Sequence, residues 1–138
     1  MRILGLDMGT RRIGVALSDA LGLTAQPLTV LVRTTTSEDL AAVEAMVAHH
    51  HVDAVVVGLP LTLRGQRGPQ AQRVMAFAEA LRRRLSVPIH LVDERLTTVE
   101  GTRVLIEMGT RRRVRRQTID RVAAQLILQQ FLESQRRP

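Results

Sequence analysis

The chain contains no cysteine, which excludes disulfides, cysteine-ligated zinc and thiol nucleophiles together. It contains no tryptophan or tyrosine, and Phe77 and Phe131 are its only phenylalanines. An aromatic platform on which bases stack is therefore nearly excluded, and a hold on nucleic acid should fall on phosphates. Lysine is absent too, so all 20 basic residues are arginine. No apolar run reaches membrane-spanning length, and Met1 leads straight into a strand-like segment rather than a signal peptide. The expectation is a soluble, cytoplasmic protein with no membrane partner.

What is present narrows the class further. A length of 138 residues fits one domain, 1–138, with a sizeable core, and is too short for two lobes closing over a nucleotide. Hydrophobic residues at 45% and charged residues at 24% are an ordinary globular balance. The charge is not evenly spread. Thirteen acids oppose the 20 arginines for a net charge of +7, and residues 101–138 hold nine arginines against three acids. Genome composition would explain arginine in place of lysine, but not that clustering. A local basic field points to a polyanionic partner.

Residues 2–7 (RILGLD) form a short apolar run ending in an acid, the pattern of a strand buried on both faces. A tight turn at Gly9 separates it from a second strand over 12–18 (RIGVALS), so a hairpin follows. A third strand over 26–33 continues the meander. Thr36 or Ser37 then caps a helix with Leu40, Val43 and Val47 at helical spacing. Residues 53–58 (DAVVVG) are a fourth strand, and 63–69 (LRGQRGP) a Gly-rich basic loop. Pro69 opens a helix with the stripe Val74, Phe77, Ala78, Leu81 and Leu85. A fifth strand covers 87–92. Thr97 and Glu100 form a capping box for a helix stopping at Gly109, and a last helix runs from about 118 to 133. The order β-β-β-α-β-α-β-α-α gives an α/β fold: a mixed five-stranded sheet with helices on both faces.

Three carboxylates lie at unusual places. Asp7 ends a strand that is otherwise almost wholly apolar, and the carboxyl ends of such strands are where α/β folds place ligand sites. Capping the Gly9 turn is the structural alternative. Asp93 and Glu94 follow the fifth strand, either at the same sheet edge as Asp7 or paired with Arg95. Asp120 heads the stripe Ala124, Ile127, Leu128 and Phe131, and an acid on a core-facing stripe is costly unless it is paired or bound to metal. First-turn placement on the helix dipole is the alternative there. Acids from separate elements converging on one edge make a divalent-metal site, and carboxylate oxygens suit Mg²⁺ or Mn²⁺. Two ions about 4 Å apart activate water and stabilise the leaving oxygen of a phosphodiester.

Basic segments surround those acids. Arg11 and Arg12 follow Asp7, and Arg64 and Arg67 sit on the Gly-rich loop. Residues 111–116 (RRRVRR) bring Arg111, Arg112, Arg113, Arg115 and Arg116 just before Asp120. Five close like charges repel unless an anion sits among them, so this run is read as a phosphate-binding segment that gains little from ordering alone. Arg82–Arg84 read instead as a solvated helix face. His49, His50 and His51 are consecutive, point apart on a helix and cannot easily share one ion.

The stretches LGLDMGTRRIGVALSD (4–19), VVGLPLTLRGQRGPQAQRV (56–74), VDERLTTVEG (92–101) and IDRVAAQLILQQFL (119–132) together resemble the YqgF family. Its members are described as Holliday-junction resolvases and as pre-16S rRNA nucleases. The resemblance implies an RNase H-like fold and metal-dependent nuclease chemistry, with acids matching Asp7, Glu94 and Asp120. Thr62 and Arg64 depart from the Asn and Asp that family members often carry in the loop. The leading expectation is therefore an endonuclease acting on structured RNA or branched DNA, as a monomer or homodimer. The alternatives are a noncatalytic RNA-binding ribosome-assembly factor on the same fold, and a phosphotransferase suggested by Asp7-x-Gly9. The latter needs a second lobe that this length does not supply.

Overall fold

Apolar runs that are too short for helices become five strands of one sheet. In the computed structural model, which describes residues 1–61, 64–94 and 112–136, these are β1 (Ile3–Met8), β2 (Arg12–Ser18), β3 (Ala25–Val32), β4 (Ala54–Leu59) and β5 (Ile89–Asp93). Their order is β3-β2-β1-β4-β5. The meander expected from the sequence pairs β1 with β2 and β2 with β3, both antiparallel. The helical crossovers make β1, β4 and β5 parallel. β1 and β4 are buried along their whole length, as their unbroken apolar runs require. Pro27, which cannot donate to a ladder, sits on the edge strand β3.

Two helices cover one face of the sheet. α1 (Thr36–His49) presents Leu40, Val43 and Val47, and α2 (Pro69–Arg84) presents Ala71, Val74, Phe77, Ala78 and Leu81. They close a core with Leu4, Leu6, Ile13, Val15, Val55 and Val57. The cap of α1 is Thr35, one residue before the expected pair, and its hydroxyl accepts from the Glu38 amide at 3.1 Å. With three threonines in succession, packing of the helix rather than local chemistry selects the cap. α2 starts at Pro69 as expected.

The other face carries α3 (Arg112–Arg136) alone among the described residues. Ala123, Ala124, Ile127, Leu128 and Leu132 lie against Ile3, Ala16, Ala54 and Val56. The helix begins six residues before the expected start, so Arg112, Arg113, Arg115 and Arg116 lie in its first turns instead of in a segment that fails to order. Arginine is a strong helix former, and a helix already anchored on a core extends through such residues. The helix expected over 97–109, together with Thr62 and Arg111, falls outside the described residues. Among the described residues no helix is long and apolar enough to cross a membrane.

Candidate active site

Strand alternation decides which face each acid occupies. Ile3 belongs to the α3-side core, and Gly5 lies beneath Ala124 and Leu128 of α3. Asp7, two residues further on β1, therefore faces α3, and it is 95% buried. On one side Asp7 is paired with Gly14 of β2. On the other it lies one step past the Leu6–Val57 pair, alongside Gly58 of β4.

These two glycines meet the other two acids. A Cβ on Gly14 would collide with the main-chain carbonyl of Asp120. A Cβ on Gly58 would come within 2.6 Å of Glu94 Oε1 and 2.5 Å of Ile127 Cδ1. Strand-interior glycine marks a close approach of something else to the backbone, and here it lets α3 and Glu94 settle on the sheet beside Asp7. Asp7, Glu94 and Asp120 thus come to one face and one end of the sheet, from β1, the residue after β5, and α3. Asp93 shares its strand parity with Leu91, which packs on the α1/α2 side, so it faces away from α3.

The three carboxylates are not drawn around one point: among the described residues no three acid or histidine side chains stand close enough to hold an ion together. Like charges have no reason to gather without a cation between them. Asp120 accepts a hydrogen bond through Oδ2 from Arg12 Nε at 2.6 Å. Arg12 is therefore engaged with an acid, whereas the sequence led us to expect it on a phosphate. Asp120 stands about two turns inside α3, which removes the first-turn explanation of its position.

The turn beside Asp7 is braced from three elements. The Gly9 amide donates to the Arg12 carbonyl at 2.8 Å, and the Arg33 amide to the Arg11 carbonyl at 2.8 Å. Arg33 Nη1 donates to the Gly9 carbonyl at 3.0 Å while its Nε binds the buried Asp39 at 3.1 Å. Gln70, in the first turn of α2, donates to the Met8 carbonyl at 3.1 Å. Sequence reasoning missed Arg33, Asp39 and Gln70, since none stands out by spacing. The mid-strand position of Gly14 was a readable signal, whereas Gly58 closed the expected fourth strand and lies inside β4 only in the structure.

Arg11, Arg64 and Arg67 are exposed, the last two around Gly65, whose φ of +79° suits the turn. Arg82, Arg83 and Arg84 are exposed, the solvated helix face expected of them; Arg82 also binds Glu79 and donates to the Ile89 carbonyl at 2.8 Å, and Arg84 reaches Glu44 at 3.8 Å. His49, His50 and His51 end α1, and the Arg2 guanidinium reaches the His50 carbonyl at 3.4 Å near the start of β1, far from Asp7. Burial, with His49 and Arg2 nearby, lowers the pKa of His50. His90 lies against Phe131, ring centres 5.1 Å apart.

Comparison with known proteins adds five findings. A family model described as "RuvX: Holliday junction resolvase" matches residues 1–134. A Moorella thermoacetica protein named "Putative pre-16S rRNA nuclease" is 53% identical over 133 residues, covering 96% of this chain and 95% of its own. A Myxococcus xanthus protein of the same name is 50% identical over 138 residues, covering 100% and 91%. Among solved structures, Thermus thermophilus RuvC in complex with a Holliday junction substrate superposes with a TM-score of 0.61 at 15% identity, over 98% of this chain and 95% of that one. The fowlpox virus resolvase with Holliday junction DNA gives 0.59 at 14% identity, over 99% and 100%. At such identities these two structures bear on the fold alone.

Proposed function

The chain belongs to the RuvX (YqgF) family of Holliday junction resolvases, and from that membership we propose a metal-dependent endonuclease that cuts structured nucleic acid at Asp7, Glu94 and Asp120. Family membership makes it a nuclease, a phosphodiester hydrolase, and its mixed five-stranded sheet is RNase H-like. The observation that carries the site is the flanking of Asp7 by Gly14 and Gly58, with Asp120 and Glu94 against those glycines. Three carboxylates supply the hard oxygen donors that Mg²⁺ and Mn²⁺ prefer. A divalent ion bound there supplies activated water and a clamp on the leaving oxygen.

The protein's own groups do the rest. Asp7, largely buried and fixed by the strand on both sides, is the rigid ligand. Glu94, just past the end of β5, has the longer reach. Arg64 and Arg67 on the loop before α2, and Arg111, Arg112, Arg113, Arg115 and Arg116 at and before the start of α3, hold backbone phosphates. The amino end of α3 adds the positive pole of the helix dipole to that charge. We take residues 1–138 as one nuclease unit working in the cytoplasm. Its first substrate is precursor 16S rRNA, after the name carried by relatives half identical to it. Junction DNA, after the family's description, is the second reading, and it calls for a dimer that cuts two strands symmetrically.

The test is cleavage of matched stem-loop RNA, single-stranded DNA and four-way junction DNA with Mg²⁺ or Mn²⁺, with Asp7→Asn beside the wild type. The expected outcome is cleavage of RNA by the wild type and none by Asp7→Asn, with the variant still folded. Cleavage by Asp7→Asn at the wild-type rate would remove Asp7 from the chemistry. Metal-independent binding without any cleavage would favour an assembly factor.

A further inference from the structure

The contact between Arg12 and Asp120 differs from a structural clamp in three ways. Both side chains keep contact with water, at 28% and 20% exposure, so parting them strands neither charge in a dry interior. The docking of α3 does not rest on it, because Ala124, Ile127, Leu128 and Leu132 bury the helix against the sheet. Among the described residues the contact is also single-pronged, through Nε, whereas a guanidinium binds a carboxylate or phosphate most strongly through two parallel bonds. Arg12 also lines an open cleft of about 370 Å³, together with Gly9, Thr10, Arg11 and Asp120 among the described residues. That volume accepts a phosphate group, and the exposed Arg11 stands at its rim.

We propose that Arg12 and a divalent cation are alternative partners of the Asp120 carboxylate, and that the guanidinium, once exchanged off Asp120, turns into the cleft and grips a substrate phosphate. The inference rests on the reading of Asp120 as a metal ligand. Two cations on one carboxylate stand within about 5 Å of each other, and their repulsion favours one or the other. A phosphodiester offers the two oxygens that the planar fork of arginine matches. Arg12 is then a positioning residue on Asp120 and a binding residue on the substrate, in turn. Metal and nucleic acid consequently reinforce each other's binding, because each favours the same position of Arg12.

The test measures Mn²⁺ binding by calorimetry, without nucleic acid, on the full chain. Arg12→Ala removes the competitor and raises Mn²⁺ affinity about five-fold. Arg11→Ala removes an equal charge without the contact and changes it less than about two-fold. In an Asp120→Asn background, Arg12→Ala has no further effect. A second measurement follows binding of a fluorescent stem-loop RNA in EDTA and in Ca²⁺, which takes the same oxygen ligands. Arg12→Ala weakens RNA binding about ten-fold in Ca²⁺ and leaves it unchanged in EDTA, where Asp120 retains Arg12 in the wild type. Mn²⁺ binding that depends on Asp7 but does not tighten in Arg12→Ala overturns the exchange and leaves the metal site standing. Mn²⁺ binding indifferent to Asp7→Asn overturns the site and the exchange with it. Should Arg12→Ala fail to fold, Arg12→Gln keeps most of the stem and faces the same outcomes.

Discussion

Gly14 and Gly58 are both glycines within strands of the fold, yet they stand against different things. Gly14 is covered by the main-chain carbonyl of Asp120, which has no flexible end to give way. Gly14→Ala should cost about 3 kcal/mol in urea unfolding, at the upper end of overpacking. Gly58 is covered by the ends of the Ile127 and Glu94 side chains, which can swing aside. Gly58→Ala should cost only about 1 kcal/mol. Because Glu94 is displaced, cleavage should nevertheless fall by roughly ten-fold or more. Equal stability losses in the two variants would mean that α3 is not seated as described. Asp19 offers a different reading. Its Oδ1 accepts from the Leu23 amide at 2.7 Å and the Thr24 amide at 3.1 Å, closing the β2–β3 turn. Those bonds, the Thr24 one first, hold its pKa below its ordinary 3.8. The stabilisation is therefore complete above pH 3.8 and disappears as pH falls through the lowered value. In acid titrations of stability, Asp19→Asn should run parallel to the wild type above that range and lose less below it. Neither these glycines nor Asp19 was singled out in the sequence, since what the glycines touch is supplied from residues 120, 94 and 127.

At the scale of elements, strands and α2 were legible because their signal is periodic and local. β2 was read to the residue, and the other strands shifted by one or two positions. The start of α3 was not legible. A run of arginines reads as solvated loop because its charge says nothing about backbone conformation, and the packing that extends the helix lies a few turns downstream. The β1–β2 turn shows how much of an element's shape comes from its neighbours. Arg33 ties the Gly9 carbonyl to Asp39, which is only 4% exposed. Arg33→Met should leave that carboxylate short of a partner, lower stability by about 2 kcal/mol, and speed hydrogen exchange at the Gly9 amide. Exchange at Gly9 unchanged by the substitution would show that Gln70 and the hairpin hold the turn without Arg33.

The molecule as a whole places Asp7, Glu94 and Asp120 at one end of the sheet and much of its basic charge in the last quarter of the chain. If that charge grips phosphates, replacing Arg112, Arg113 and Arg115 together by alanine should lower the slope of log affinity against log salt by about three units on duplex nucleic acid. The loss should be uniform across sequences, because phosphates carry no base identity. An unchanged slope would assign the grip to Arg64 and Arg67. Two of the three acids were legible as strand-end carboxylates and the third as an intruder on an apolar stripe. The ion pair that Asp120 makes was not, because Arg12 stands 108 residues away and nothing local joins the two. That separation also has a meaning in time. A ribosome makes Asp7 more than a hundred residues before α3 is complete. Until α3 docks, Ile3, Ala16, Ala54 and Val56 lack the helix that buries them, and the acids at 7 and 94 have no third partner. If the three acids are the site, a nuclease is thus kept without it until α3 has docked, and the helix that covers the second face of the sheet is the one that arms it.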